Sequence, residues 1–161
     1  MHATTQRRAK HRLGGANTHS ARLAHTRNPR ILFIDDDPDL QATLEMRLRP
    51  YAVEVEHAYF GTQGIIEAIK SRPDMVLMDL AMPNGSGEYV LETMRRNRDT
   101  AAIPVVVFTG MRDASVRRRV ISLGADGYLQ KPASLAELID AIGRHIPIAR
   151  KESGGPHTRV S

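Results

Sequence analysis

Four kinds of side chain that can handle phosphate and divalent metals each follow a short apolar run in this 161-residue chain. They are the carboxylates Asp35, Asp36 and Asp37, the lone carboxylate Asp79, the hydroxyl of Thr109 and the ammonium group of Lys131. Carboxylate oxygens are ligands for Mg²⁺, and a carboxylate can also attack phosphorus. A lysine and a hydroxyl can bind the remaining phosphoryl oxygens. Together these residue types predict metal-assisted transfer of a phosphoryl group to a carboxylate.

The residues before these groups predict where the groups lie. The apolar run 75–78 leads into Asp79 and is stopped by Pro83 and Gly85, which is typical of a buried parallel strand that enters a turn. The runs 31–34, 105–108 and 128–130 are read in the same way. Open α/β sheets place their sites at the carboxyl ends of the strands. We therefore expect all four groups to meet at one edge of a sheet.

Each group then has a predicted role at that edge. Asp35 and Asp36 are expected to bind Mg²⁺, and Asp79 is expected to be both the nucleophile and a metal ligand. The backbone carbonyl of Ala81 would add a further oxygen ligand. Lys131 and Thr109 are expected to bind the phosphoryl group, whereas Asp37, which precedes Pro38, is assigned to capping a helix.

Residues 31–146 alternate strand and helix five times. Five such units predict an α/β fold with a five-stranded parallel sheet that has helices on both faces. The second strand is expected over 52–58, and the second helix over 61–71 with Ile65, Ile66 and Ile69 facing inward. The fifth helix should open with a capping box formed by Ser134 and Glu137.

Charge is distributed unevenly along the chain. The net charge is +5, yet residues 1–30 hold seven Lys and Arg and no acid, whereas residues 31–146 hold 13 basic and 17 acidic residues. We expect residues 1–28 to be a disordered basic tail, residues 29–147 to be the folded domain and residues 148–161 to be a flexible C-terminal tail. Because the folded part carries no basic surplus, nucleic acid is not its expected partner.

Composition excludes several other classes. The chain has no cysteine, which rules out disulfides and cysteine zinc sites and fits a cytoplasmic location. No apolar stretch reaches the roughly 18 residues that a membrane span needs, so no membrane partner is expected.

Four segments resemble the signature segments of two-component response-regulator receiver domains. They are ILFIDDD (31–37), LMDLAMP (77–83), VVFTG (106–110) and GADGYLQKP (124–132). The resemblance covers residues 30–146 and implies a flavodoxin-like (βα)5 receiver fold that serves phosphorelay signal transduction. Asp79 would accept a phosphoryl group from a sensor histidine kinase or a histidine phosphotransfer protein, and the chain would catalyse only its own phosphorylation and dephosphorylation.

The resemblance also implies how a signal leaves the domain. Tyr128 occupies the aromatic switch position of the family, and the face made by the fourth helix, fifth strand and fifth helix would bind a downstream protein. Arg117, Arg118 and Arg119 lie on that fourth helix as a solvated basic face or a docking patch, and a homodimer through the same face stays open. Only 15 residues follow Ile146, which predicts a single-domain regulator.

Two other classes of site fit these residues less well. A haloacid-dehalogenase-like phosphatase would use Asp35 as nucleophile but has Thr or Val where this chain has Asp39. A calcium loop would need Gly where this chain has Leu40. Two alternatives stay open: a pseudo-receiver that docks without being phosphorylated, and nucleic-acid binding assisted by the basic tail.

Overall fold

The computed structural model describes residues 27–83 and 86–152 of the chain. The strands are β1 (Arg30–Ile34), β2 (Glu54–Ala58), β3 (Met75–Met78), β4 (Val105–Thr109) and β5 (Gly127–Gln130). The helices are α1 (Pro38–Leu48), α2 (Gly61–Ser71), α3 (Gly87–Arg96), α4 (Ala114–Ser122) and α5 (Leu135–Gly143). Nearly all of the predicted basic tail, and residues 153–161 of the predicted C-terminal tail, lie outside the described residues.

The five strands form one parallel sheet in the order β2-β1-β3-β4-β5. The three central strands are almost continuously apolar because helices cover them on both faces. Alternate strand residues enter different clusters: Leu32 and Ile34 pack with α2, α3 and α4, whereas Ile31 and Phe33 pack with α1 and α5. The predicted five-stranded α/β fold is therefore confirmed.

The helix ends follow from local side chains. The Asp37 carboxylate accepts hydrogen bonds from the backbone N–H groups of Asp39 and Leu40, both at 3.0 Å, and Pro38 is the first residue of α1. Ser134 and Glu137 form the predicted capping box before α5. These caps satisfy backbone donors that have no partner within the helix and so fix where α1 and α5 begin.

The inward face of α2 differs from the prediction. Ile66 is 60% exposed, and the buried positions are Gly61, Gly64 and Ala68. A Cβ atom built on Gly64 would lie 2.5 Å from Cδ1 of Ile34, so the helix lies too close to the sheet for larger residues on that stripe. The prediction that Ile66 faces inward is wrong because this short helix–sheet distance places small residues inward.

Two segment boundaries also differ. β2 begins at Glu54 rather than at residue 52. The backbone N–H of Ala52 donates to the carbonyl of Ala149 at 2.8 Å, and the N–H of Lys151 donates to the carbonyl of Pro50 at 2.8 Å. The segment expected to be loose from residue 148 is therefore paired with the α1–β2 loop as far as Lys151.

In the part of the chain that the structure describes, none of the helices is long and apolar enough to cross a bilayer.

Replacing Gly64 by valine tests the short distance between α2 and the sheet. The added methyl groups would meet the fully buried Ile34, so we expect Gly64→Val to lower the free energy of unfolding by about 1–3 kcal/mol. Urea denaturation measures the change. Gly110→Ala is the control, because a Cβ there meets no described atom within 4 Å. Equal stability of Gly64→Val and the unsubstituted chain would contradict the proposed packing.

Candidate functional site

The carboxyl edge of the sheet holds every side chain that the sequence singled out for chemistry. Ile34 pairs with Met78, so the residues that follow them, Asp35 and Asp79, lie side by side. Thr109 ends β4 and pairs with Gln130, which brings Lys131 to the same place. Asp35, Asp79 and Thr109 are buried, at 4%, 7% and 0% exposure.

Lys131 bridges the two buried carboxylates. Its Nζ atom lies 2.6 Å from Oδ2 of Asp35 and 2.9 Å from Oδ2 of Asp79. The remaining oxygens are held by the backbone: Oδ1 of Asp35 accepts from the N–H of Asp37 at 3.0 Å, and Oδ1 of Asp79 accepts from the N–H of Leu80 at 2.7 Å. Each carboxylate is thus fixed by its own loop on one oxygen and by Lys131 on the other.

Burial affects the two carboxylates differently. Desolvation raises the pKa of Asp35, because it outweighs the hydrogen bonds from Lys131 and Asp37. Desolvation also acts on Asp79, but the hydrogen bond and charge of Lys131, with smaller contributions from Thr109 and the Ala81 N–H, lower its pKa below the usual value. Burial opposes the charge of Lys131 as well, yet the two carboxylates raise the pKa of its ammonium group. At neutral pH the site therefore holds an ionised Asp79 beside a charged lysine.

The third carboxylate, Asp36, is exposed and lies at the open side of the pair. One oxygen from each of Asp35, Asp36 and Asp79 can be chosen so that all three lie within 4.8 Å of one another. Three carboxylates against one lysine leave an excess of negative charge, and all the donors are oxygen atoms. This donor set fits Mg²⁺, which prefers oxygen ligands and keeps several waters on an accessible side.

Tyr128 is held by the loop that follows Thr109. Its hydroxyl donates a hydrogen bond to the backbone carbonyl of Met111, and burial raises the pKa of the phenol. Arg117, Arg118 and Arg119 of α4 are all exposed, and Arg119 also forms an ion pair with Glu88 of α3.

Two residues of the site were missed from sequence. A Cβ atom on Gly87, the first residue of α3, would lie 2.4 Å from the carbonyl oxygen of Asp79, so only glycine allows α3 to start against that loop. Gln41 of α1 is 1% exposed and donates to the carbonyl of Asp35. Gln41 stands next to Leu40 in the helical pattern, and nothing in the spacing distinguishes it from a surface polar residue.

The family follows from comparison with known proteins. The model of the response regulator receiver domain matches residues 31–143. The chain is 34% identical over 142 residues to the DNA-binding dual master transcriptional regulator RpaA of Synechocystis, covering 82% of this chain and 59% of that protein. It is 37% identical over 112 residues to the transcriptional regulatory protein PrrA of Mycobacterium tuberculosis, covering 70% and 47%. The chain belongs to the response-regulator receiver family, and it spans about half the length of these relatives.

Solved structures agree with this assignment. The non-phosphorylated receiver domain of HemR from Leptospira biflexa is similar with a TM-score of 0.68 and 30% identity over 77% of this chain and 98% of that one. The receiver domain of the sensor histidine kinase PA1611 from Pseudomonas aeruginosa, described with a magnesium ion coordinated in its active-site cleft, has a TM-score of 0.68, 27% identity and coverages of 73% and 97%. The chemotaxis protein CheY4 of Vibrio cholerae, at 24% identity and a TM-score of 0.70 over 74% and 99%, shows the shared fold.

The raised pKa of Asp35 predicts that its ionised form destabilises the metal-free protein. A group whose pKa is higher in the folded state contributes stability at low pH that is lost as the pH rises through the folded value. At neutral pH, Asp35→Asn should therefore raise the melting temperature in EDTA, and the difference should shrink as the pH falls toward the usual aspartate range. Thermal melts across pH measure this, with the exposed Asp39→Asn as control. A lower melting temperature for Asp35→Asn at neutral pH would contradict the assignment.

Proposed function

We propose that this chain is a response regulator of phosphorelay signalling that accepts a phosphoryl group on Asp79. The donor is a phosphohistidine of a sensor histidine kinase or a histidine phosphotransfer protein. The observation that carries the proposal is the ionised, buried Asp79 held between Lys131 and the carboxylates of Asp35 and Asp36. A family match to the receiver domain over residues 31–143 supports the same reaction class.

The chemistry requires an in-line nucleophile and groups that bind the equatorial phosphoryl oxygens. Asp79 supplies the nucleophilic oxygen: its bond to phosphorus forms as the phosphorus–nitrogen bond of the phosphohistidine breaks, and the electron pair leaves with the imidazole. Lys131 then exchanges its carboxylate contact for a phosphoryl oxygen, and the Thr109 hydroxyl donates to another. Asp35, Asp36, Asp79 and the carbonyl of Ala81 would hold Mg²⁺, which would neutralise charge on the phosphoryl oxygens.

Phosphorylation would be transmitted through the loop between β4 and α4. Thr109 begins this loop and Tyr128 donates to the carbonyl of Met111 within it, so a shift of Thr109 changes the environment of the tyrosine ring. The face made by α4, β5 and α5, with the exposed Arg117 and Arg118, would bind the downstream protein or a second copy of the chain. RpaA and PrrA are longer than this chain, so it is a separate proposal that the receiver domain acts without a further domain. An immunoblot of cell extract, which gives the molecular mass of the native protein, tests it.

Intact mass spectrometry tests the acceptor residue. With acetyl phosphate and Mg²⁺, the chain should gain one phosphoryl group, and Asp79→Asn should gain none. Asp99→Asn is the matched control, because Asp99 forms an exposed ion pair with Arg72 away from the site. A gain that survives in Asp79→Asn would mean that another carboxylate is the acceptor. If neither phosphorylation nor beryllofluoride binding occurs in the unsubstituted chain, the pseudo-receiver alternative replaces this proposal.

Lys131→Met tests two effects of the lysine: that it stabilises the metal-free protein and that it competes with Mg²⁺ for the carboxylates. Without the ammonium group the two buried carboxylates repel each other, so the free energy of unfolding in EDTA should fall by on the order of 2 kcal/mol, less than for a fully buried pair. The same change should strengthen Mg²⁺ binding, because Lys131 no longer occupies oxygens of Asp35 and Asp79. Chemical denaturation and isothermal titration calorimetry measure the two effects. Weaker Mg²⁺ binding by Lys131→Met would argue against a shared metal and lysine site.

A further inference from the structure

A buried amide ties α1 to the metal-ligand loop. The side chain of Gln41 is 1% exposed, and its Nε2 atom donates to the carbonyl oxygen of Asp35 at 2.7 Å and to that of Ala58 at 2.9 Å. The carbonyl of Ala58 also accepts the backbone N–H of Asp35 at 3.0 Å. Both backbone polar groups of Asp35 are therefore held, one by the end of β2 and the other by Gln41.

Two carbonyl oxygens and a histidine together hold the orientation of this amide. Since both N–H donors of Gln41 face carbonyl oxygens, its Oε1 atom faces His57 and accepts a hydrogen bond from Nδ1 of that ring. The other ring nitrogen of His57 lies 3.1 Å from a carboxylate oxygen of Glu45. The His57 ring packs edge-on to Phe33, with centroids 6.0 Å apart, and stacks on Tyr59 at 6.4 Å. These contacts keep the ring where it can donate to Gln41.

These contacts end on the loop that supplies two of the three candidate metal ligands. The carbonyl that Gln41 holds belongs to the peptide unit that joins Asp35 to Asp36, the two ligands contributed by the β1–α1 loop. Rotation of that peptide would turn the two carboxylates relative to each other and to Asp79. A hydrogen bond from a buried, oriented donor opposes the rotation, in the way that groups behind a metal site orient its ligands.

We propose that Gln41 is a positioning residue that fixes the Asp35–Asp36 peptide so that both carboxylates face Asp79 before a cation arrives, with His57 holding the amide oxygen. The inference rests on the proposed Mg²⁺ site. It assigns this role to a side chain that touches no metal or phosphoryl group itself. Its effect should appear in cation affinity measured on the fully folded protein and not only in stability.

Calorimetric titration of the full chain with MgCl₂, well below the melting temperature, tests the proposal. Gln41→Leu keeps the side chain's bulk but removes both donors, so the Kd for Mg²⁺ should rise roughly tenfold, as for other groups that orient metal ligands. Leu48→Ala is the matched control: it lies on the same helix, is 1% exposed and packs with the apolar cluster of α1 and α5. It should lower the melting temperature while leaving the Kd unchanged.

Substitutions of His57 provide a second test, which can be made even if the Gln41→Leu variant does not fold. His57→Leu leaves the Gln41 oxygen without its donor and should weaken Mg²⁺ binding by a smaller factor. His57→Asn places an amide N–H near the former Nδ1 and should restore the affinity of the unsubstituted chain.

Two results would overturn the proposal. One is an unchanged Kd in a folded Gln41→Leu whose melting temperature falls as in Leu48→Ala. The other is an equal affinity for Mg²⁺ in His57→Leu and His57→Asn. This second result decides the matter if Gln41→Leu does not fold. Failure of the unsubstituted chain to bind Mg²⁺ is distinguishable from both, because it would overturn the proposed function together with this inference.

Discussion

The contact of the part-buried Lys131 ammonium group with Asp35 and Asp79 is the interaction on which the site depends. Two carboxylates that are less than a tenth exposed cannot both be ionised without a nearby positive charge. Lys131 supplies that charge, and it directly follows β5, the strand that lies two places away from β3 in the sheet. The parallel register of β1, β3, β4 and β5 therefore brings these charges together at one edge of the sheet.

One lysine shared by two buried carboxylates leaves the negative charge of the site incompletely neutralised. The pKa of Asp79 is lowered while that of Asp35 is raised, although both bond to one ammonium group. Asp79 has extra donors in the Leu80 and Ala81 backbone, whereas Asp35 relies on fewer. A cation bound beside Asp35 would relieve the less favourable charge, and Lys131 would become free to follow a phosphoryl group on Asp79.

Local and parallel-strand features of this architecture could be predicted from sequence, and long-range packing could not. The carboxyl ends of parallel strands share one edge, which predicts that Asp79, Thr109 and Lys131 lie together. Capping depends on adjacent residues, so the role of Asp37 can be predicted from its neighbours. The exposure of Ile66 depends on how closely α2 approaches the sheet. The role of Gln41 depends on β2, which lies far from it in sequence, so its polar type alone gave no signal.

Under the proposed mechanism, the loop between β4 and α4 would carry the effect of a chemical change at Asp79 to the surface of α4. Gly110 in this loop is exposed, and a Cβ there would meet no described atom within 4 Å, so packing holds this position weakly. The hydrogen bond from Tyr128 to the carbonyl of Met111 and the Asp113 cap of α4 hold the loop instead. Under the proposed mechanism, the pull of a phosphoryl group on Thr109 is opposed by a few hydrogen bonds and not by a packed core. A difference of a few kcal/mol between the two loop positions is then enough to redistribute their populations.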